Sequence, residues 1–248
     1  MVGRIVHADV PHRAQPLERA LWPLWLLGNA AVYAAIAGPA RSMRVAWTPS
    51  PEVPARARAA GPIAYVAWHR YNFASTHALS QLPASLRPTL VMHDGLASRA
   101  LTHEASAWFG FETFVFRRRS PVSPRAQIVD YVRHSGRSIA ILPDAGGPYG
   151  RVKPGMMQVA AECGAWVQPF AVRVDRALVL GRRLRHVVPL PRATVEIRWG
   201  EPLPPDAGAA ACQAALDALD APCSIARVTP PASPGAGPAA ARGAPSSG

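Results

Sequence analysis

Two short apolar runs, each ending abruptly in polar chemistry, constrain this chain more than any other feature. The first is Tyr65-Val66-Ala67-Trp68, which runs into His69-Arg70. The second is Ile139-Ala140-Ile141-Leu142. It runs into Pro143-Asp144-Ala145-Gly146-Gly147-Pro148-Tyr149-Gly150-Arg151-Val152-Lys153-Pro154-Gly155. Runs this short and this uniformly apolar read as strands buried on both faces, the kind found in parallel sheets covered by helices. Open α/β sheets place their sites just beyond the carboxyl ends of such strands. A histidine at one strand end and a glycine-rich cationic loop at another predict a general base beside an anion-binding loop.

The rest of the body alternates in the same way. Expected strands cover 63–68, 89–92, 111–116, 138–142, 166–172 and 195–199, and expected helices cover 71–81, 96–108, 124–134, 155–163 and 209–219. This alternation predicts an α/β fold with a central, mostly parallel sheet flanked by helices. Residues 48–62 hold four prolines and read as a connector. Beyond Val228 the chain is mostly proline, glycine, alanine and serine, with Arg242 its one charge. Such a composition cannot bury enough apolar surface to offset chain entropy. The expected organisation is a membrane-associating segment at 1–47, the connector at 48–62, an α/β domain at 63–228 and a disordered tail at 229–248.

Residues 21–38, from Leu21 to Gly38, form an apolar stretch with no formal charge over eighteen residues. A bilayer span needs roughly 20 apolar residues. Pro23, Gly28 and Asn29 interrupt the stretch, and Trp22 and Trp25 stand near its start. Arg13 and Arg19 precede it, and Arg41 and Arg44 follow it. A signal peptide, a spanning helix, and a helix or hairpin lying in one leaflet all fit; the polar lead is long for a signal peptide. Tryptophans at one end and flanking arginines favour membrane attachment. The competing reading is a buried core helix.

The formal charge is +12 and the isoelectric point is near 11.0. That balance favours an anionic partner, whether nucleic acid, phospholipid headgroups or a phosphorylated substrate. Lys153 is the only lysine, so the positive charge is nearly all arginine, in a chain also rich in alanine, proline and glycine. A coding bias towards those residues accounts for most of the skew. The aromatics do not interleave with a basic groove pattern and no nucleic-acid motif is present, so nucleic acid is not the expected partner. Cys163, Cys212 and Cys223 show no C-x-x-C spacing, which implies neither a disulfide framework nor a zinc ribbon.

His69 stands at the start of an expected helix, whose positive end disfavours imidazolium and keeps the ring a neutral base. The alternative is a structural histidine bonded to a loop. Asp94 follows the 89–92 strand and precedes Gly95. In a parallel sheet it reaches the same edge as His69 and could orient the imidazole; taken alone it reads rather as a turn aspartate or helix cap. Arg117, Arg118 and Arg119 follow the strand ending at Phe116, with Arg117 the expected phosphate ligand. The competing reading is a solvated basic loop. In the loop after Leu142, Gly146 and Gly147 allow close backbone approach, and Arg151 and Lys153 add fixed charge. Walker and dinucleotide fingerprints are missing, as are H-E-x-x-H and a serine nucleophile elbow. No metal site is expected.

In order and spacing these segments resemble the lysophospholipid acyltransferase superfamily, and within it the branch catalogued as DUF374. That branch carries a W-H segment, an Asp-Gly pair, an arginine-serine segment and a P-D-G-P-x-G-P-x-x-x-x-K-x-G loop. The counterparts here are Trp68-His69, Asp94-Gly95, Arg117 to Ser120, and Pro143-Asp144 through Lys153-Pro154-Gly155. Val167-Gln168-Pro169-Phe170 resembles a fourth block, and Leu190-Pro191 with Gly200-Glu201-Pro202-Leu203 resembles the closing segment. The resemblance spans roughly residues 20–205. It departs at Ala74, where the wider superfamily's H-x-x-x-x-D has its aspartate. Asp94 or Asn72 would then take that role. Ala145 replaces a loop glycine, and Tyr149 stands near the usual arginine.

The resemblance implies a glycerolipid acyltransferase-like fold with an N-terminal apolar helix or hairpin. It implies transfer of a fatty acyl group from acyl-CoA or acyl-carrier protein to a hydroxyl of a lysophospholipid or glycolipid. The alternative is a non-catalytic lipid- or partner-binding module of the same fold. His69, with Asp94 or Asn72, would be catalytic; Arg117, Asp144, Gly146, Gly147, Arg151 and Lys153 would bind substrate or phosphate. No bound cofactor is implied. The expected partners are a membrane lipid acceptor, an anionic membrane surface and an acyl-carrier protein, at the cytoplasmic face of the inner membrane.

Overall fold

A computed structural model describes residues 4–8, 42–48, 58–95, 108–182 and 185–220, together with separate helical positions between 21 and 35. Trp22, Trp25, most of the proline-rich connector, the 96–107 segment and the 229–248 tail lie outside the described residues. Ten strands are described: β1 (Ile5–His7), β2 (Arg44–Thr48), β3 (Ile63–Val66), β4 (Thr89–His93), β5 (Thr113–Phe116), β6 (Ile139–Ile141), β7 (Trp166–Val174), β8 (Ala177–Leu180), β9 (His186–Pro189) and β10 (Thr194–Trp199). The helices are α1 (Asn72–Ser80), α2 (Pro124–Ser135), α3 (Pro154–Cys163) and α4 (Gly208–Asp220), and a 3-10 turn at His69–Tyr71 leads into α1.

The fold is α/β. Eight strands form one sheet in the order β1-β5-β4-β6-β3-β7-β10-β2. All pairings from β1 to β7 are parallel; β10 runs antiparallel to β7, and β2 runs parallel to β10. β8 and β9 form a separate two-stranded antiparallel ribbon. Every residue of β3 is buried, as a strand covered on both faces requires.

Strand alternation divides the core in two. Ile63 and Tyr65 face Ala74, Ala78 and Leu79 of α1. Ala64 and Val66 face the other way, into a cluster with Val132 of α2, Val159 of α3 and Leu216 of α4. Helices therefore cover both faces. Local chemistry sets the helix ends. The Ser123 hydroxyl accepts from the Ala126 amide at 3.2 Å, Pro124 opens α2, and Gly136 ends it at φ 63°.

Two expectations about the ends of the chain change. Residues 5–7, in a stretch expected to be a polar lead, pair with β5 and form one edge of the sheet. Residues 44–48 pair with β10 and form the opposite edge, where Trp47 stacks on Trp199 at 5.7 Å. Parts of 1–47 thus belong to the sheet. Among the described residues, no helix is long and apolar enough to cross a membrane.

Candidate active site

The chain leaves adjacent strands β3 and β6 in opposite directions. After β3 it turns onto the α1 face, and after β6 it crosses to the α3 face. That divergence is a topological switch point, where an open α/β sheet leaves a crevice beyond its strand ends. His69 follows β3 at this point, and Asp144 with its glycine loop follows β6. The two segments singled out in the sequence are thus neighbours.

Asp144 joins them. It is 2% exposed. One carboxylate oxygen accepts the His69 backbone N–H at 3.0 Å, and the other accepts the Gly150 N–H at 3.0 Å. A single buried side chain therefore fixes the turn carrying the histidine and closes the loop. Its main-chain carbonyl also accepts from Gly147 at 3.0 Å. Asp144, expected among the substrate ligands, instead spends both oxygens on protein amides. Its negative charge would also oppose a bound phosphate.

The rest of the loop is organised around that carboxylate. Gly146, Gly147 and Gly150 hold φ of 78°, 69° and 75°, a left-handed region that disfavours side-chained residues. The Lys153 ammonium donates to the Ala145 carbonyl, and a Cβ on Gly146 would stand 3.5 Å from that ammonium. Gln213 of α4 accepts from the Val152 amide at 2.8 Å and donates to the Gly150 carbonyl at 3.2 Å. Arg151 is exposed. The loop therefore presents two cations and a glycine backbone to solvent at the crevice.

The His69 ring is half-buried. Its Nδ1 is sealed from solvent and has no hydrogen-bond partner among the described residues. Burial pushes its pKa below the ordinary histidine value; the Asp144 carboxylate opposes that shift and His186 adds to it. The ring is therefore a neutral imidazole at physiological pH, as a general base requires. His186, from β9, meets it edge-on at 5.5 Å, and Phe73 packs against His186 at 5.7 Å. The Tyr149 ring lies 6.1 Å away on the loop side.

His186 is the site residue that sequence reasoning missed. It lies in an arginine-rich run with no motif spacing, and only the folding back of the β8–β9 ribbon brings it to His69. Gln213 was missed as well, since nothing in the helical pattern of α4 marks it.

Asp94 and Asn72 are not placed to orient the imidazole. β6 stands between β4 and β3, so Asp94 leaves the sheet two strand spacings, roughly 10 Å, from the His69 strand. Its backbone N–H donates to the Phe116 carbonyl at 3.0 Å, and its carboxylate accepts from the Arg118 amide at 3.0 Å. Its charge acts on His93, not His69. Asp94 shapes the exit of β5. Asn72 opens α1, and its side-chain oxygen accepts from Thr76 along the helix at 3.5 Å.

The three arginines after β5 separate as their alternation implies. Arg118 and Arg119 are exposed, while Arg117 is half-buried with Nε enclosed and without a hydrogen-bond partner among the described residues. Gln127, 4% exposed, grips the Arg117 peptide from both sides. Its oxygen accepts the Arg117 N–H at 2.8 Å, and its nitrogen donates to the Arg117 carbonyl at 2.9 Å. Gln127 thus fixes the Arg117 main chain at the same sheet edge as the glycine loop. Among the described residues no group of three or more His, Cys, Asp or Glu side chains could hold a metal ion.

No family model matches the chain, and no curated protein sequence matches it. Among solved structures it is similar to the 1-acyl-sn-glycerophosphate (LPA) acyltransferase PlsC from Thermotoga maritima. The TM-score is 0.41 at 15% identity, over 76% of this chain and 70% of that one.

Proposed function

We propose that this chain is an O-acyltransferase that moves a fatty acyl group from an acyl thioester to a hydroxyl of a lysophospholipid or glycolipid at a membrane surface. The observation that carries this reading is a neutral imidazole at a switch-point crevice, tied through Asp144 to a glycine-rich loop bearing Arg151 and Lys153. The block order and spacing that resemble the DUF374 branch support it.

In this mechanism Nε2 of His69, the ring nitrogen not sealed into the protein, accepts the proton of the acceptor hydroxyl. The hydroxyl oxygen forms a bond to the thioester carbonyl carbon. The tetrahedral intermediate then collapses, the carbon–sulfur bond breaks, and the imidazolium returns its proton to the leaving thiolate. Arg117, Arg151 and Lys153 hold a phosphate of the acceptor or the donor. The Gly147 amide is bonded to the Asp144 carbonyl, so the Gly146 amide is the loop donor for the developing oxyanion. The thiol leaves as free coenzyme A or carrier protein.

The unpartnered Nδ1 of His69, with Ala74 at the superfamily's aspartate position, favours a second reading: a binding module without catalysis. The two separate on one assay. Purified protein, in detergent or with liposomes, is given radiolabelled acyl-CoA and acyl-carrier donors with a panel of lysophospholipids and glycolipids. Label moving to an acceptor supports the enzyme and begins to name its substrate. Retained lipid binding with no label transferred across the panel supports the module.

A further inference from the structure

The β8–β9 ribbon stands off the main sheet and is not used in the chemistry above, apart from His186 at the start of β9. Its inner strand, β9, is anchored along its length. Val188 is 8% exposed, Pro189 is buried, and His186 packs on His69 and Phe73. Its outer strand is not. Leu178, Val179 and Leu180 are 53%, 52% and 48% exposed. Successive strand residues point to opposite faces, so three exposed apolar neighbours place apolar surface on both sides of the ribbon. A solvated edge ribbon would carry polar side chains on at least one side.

The charge around this apolar strip has one sign. Arg176, Arg182 and Arg185 are exposed, and none is ion-paired among the described residues. The sequence adds Arg183, and residues 177–195 contain no aspartate or glutamate. The nearest acid, Asp175, has a carboxylate oxygen bonded to the Thr194 amide at 2.8 Å. Apolar side chains rimmed by arginines fit the boundary between lipid headgroups and acyl chains, where guanidiniums reach phosphates while their stems lie on apolar surface. Arginines at the turn oppose deep insertion of the tip, so the ribbon lies along the interface.

We infer that the β8–β9 ribbon is a docking surface for an anionic bilayer. This deepens the proposed function: the strand bound to lipid leads directly to His186, beside the proposed base. It rests on that reading only in expecting lipid, and its test does not depend on acyl transfer.

The test uses the full chain and sedimentation with vesicles of phosphatidylcholine alone or mixed with phosphatidylglycerol. Two variants are compared with wild type, one carrying Leu178→Ser, Val179→Ser and Leu180→Ser, the other Arg182→Gln and Arg185→Gln. Each basic residue near an anionic surface contributes enough that losing two weakens partitioning by roughly tenfold or more at low salt. The apolar variant is expected to lose binding at all salt concentrations. Because the apolar variant could misfold, a third protein carries Val179→Cys with Cys163→Ser and Cys223→Ser, leaving only buried Cys212 besides the new thiol, and is labelled with an environment-sensitive dye. Its emission shifts to the blue on adding mixed vesicles if the ribbon enters the interface. Leu21, Leu24 and Leu27 are exposed as well, at 36%, 67% and 71%. If they carry the attachment, the ribbon variants bind as wild type and the dye does not respond, which overturns the inference. Absence of wild-type binding to the mixed vesicles overturns it too. Vesicle binding by wild type with no acyl transfer to any acceptor sinks the acyltransferase reading and leaves the docking surface standing.

Discussion

Replacing Asp144 by asparagine removes one acceptor and sets an amide NH₂ against a backbone N–H. Asp144 is 2% exposed and its two oxygens accept from His69 and Gly150, each at 3.0 Å. A hydrogen bond to a charged group contributes about 1.5–3 kcal/mol, and an unsatisfied buried donor adds about 1–3 kcal/mol. These terms overlap, so a loss of about 2–4 kcal/mol is expected. For a domain of this size, that lowers the thermal midpoint by roughly 5–15 °C. The change also has an electrostatic signature. Burial already holds the His69 pKa below its ordinary value, and the Asp144 carboxylate works against that shift. Neutralising it lets the His69 pKa fall further. The neutral base then persists to lower pH, and the acid limb of the transfer rate moves down while the maximum rate falls. Calorimetry and a pH–rate profile check both effects. An unchanged midpoint, or an acid limb that moves up, would refute the role assigned to Asp144.

Three further outcomes follow from particular contacts. His186→Phe keeps a ring beside His69 but removes a group that lowers its pKa, so the acid limb of a pH–rate profile moves up, opposite to Asp144→Asn. Gly200→Ala puts a Cβ 2.9 Å from the Leu219 side chain and 3.0 Å from Pro169; the overpacking costs about 1–3 kcal/mol, read by urea unfolding. His69, His77, His93 and His186 are all held below the ordinary histidine pKa of 6.5, chiefly by burial. The unfolded chain binds those protons more readily, so the stability they contribute is full above about pH 6.5 and is lost as pH falls through and below it. Thermal midpoints measured between pH 7.5 and 5.5 should drop. His77→Leu should lessen the drop, since its ring is buried in the apolar layer against Phe109.

The parts of this fold legible in the sequence are those whose cause is local. β3 and β6 are short apolar runs because both faces are covered. α2 announces itself with Ser123-Pro124 before it and Gly136 after it. β7 runs on through Pro169, which lacks an N–H but keeps its carbonyl, and that carbonyl accepts from the Gly200 N–H at 2.9 Å. What was not legible depends on distant partners. β1 has three residues, and β2 pairs with a strand far along the chain. β8 is apolar on both faces and shows no alternation. The same limit explains the acid. Asp94 and His69 do share a sheet edge, but only strand order decides which ends are adjacent, and β6 inserts between theirs. That insertion brings Asp144 to His69 instead, a pairing that neither residue's surroundings in the sequence display. His186 reaches the site through a ribbon whose course no motif marks.

The most direct test of the central claim is transfer of a radiolabelled acyl group from thioester to lipid acceptor, wild type against His69→Ala, with folding and vesicle binding measured on both. The account predicts label in the acceptor with wild type, and a loss of roughly a hundredfold or more with His69→Ala, the scale of a positioned general base. Transfer at the wild-type rate in a folded His69→Ala protein would contradict it.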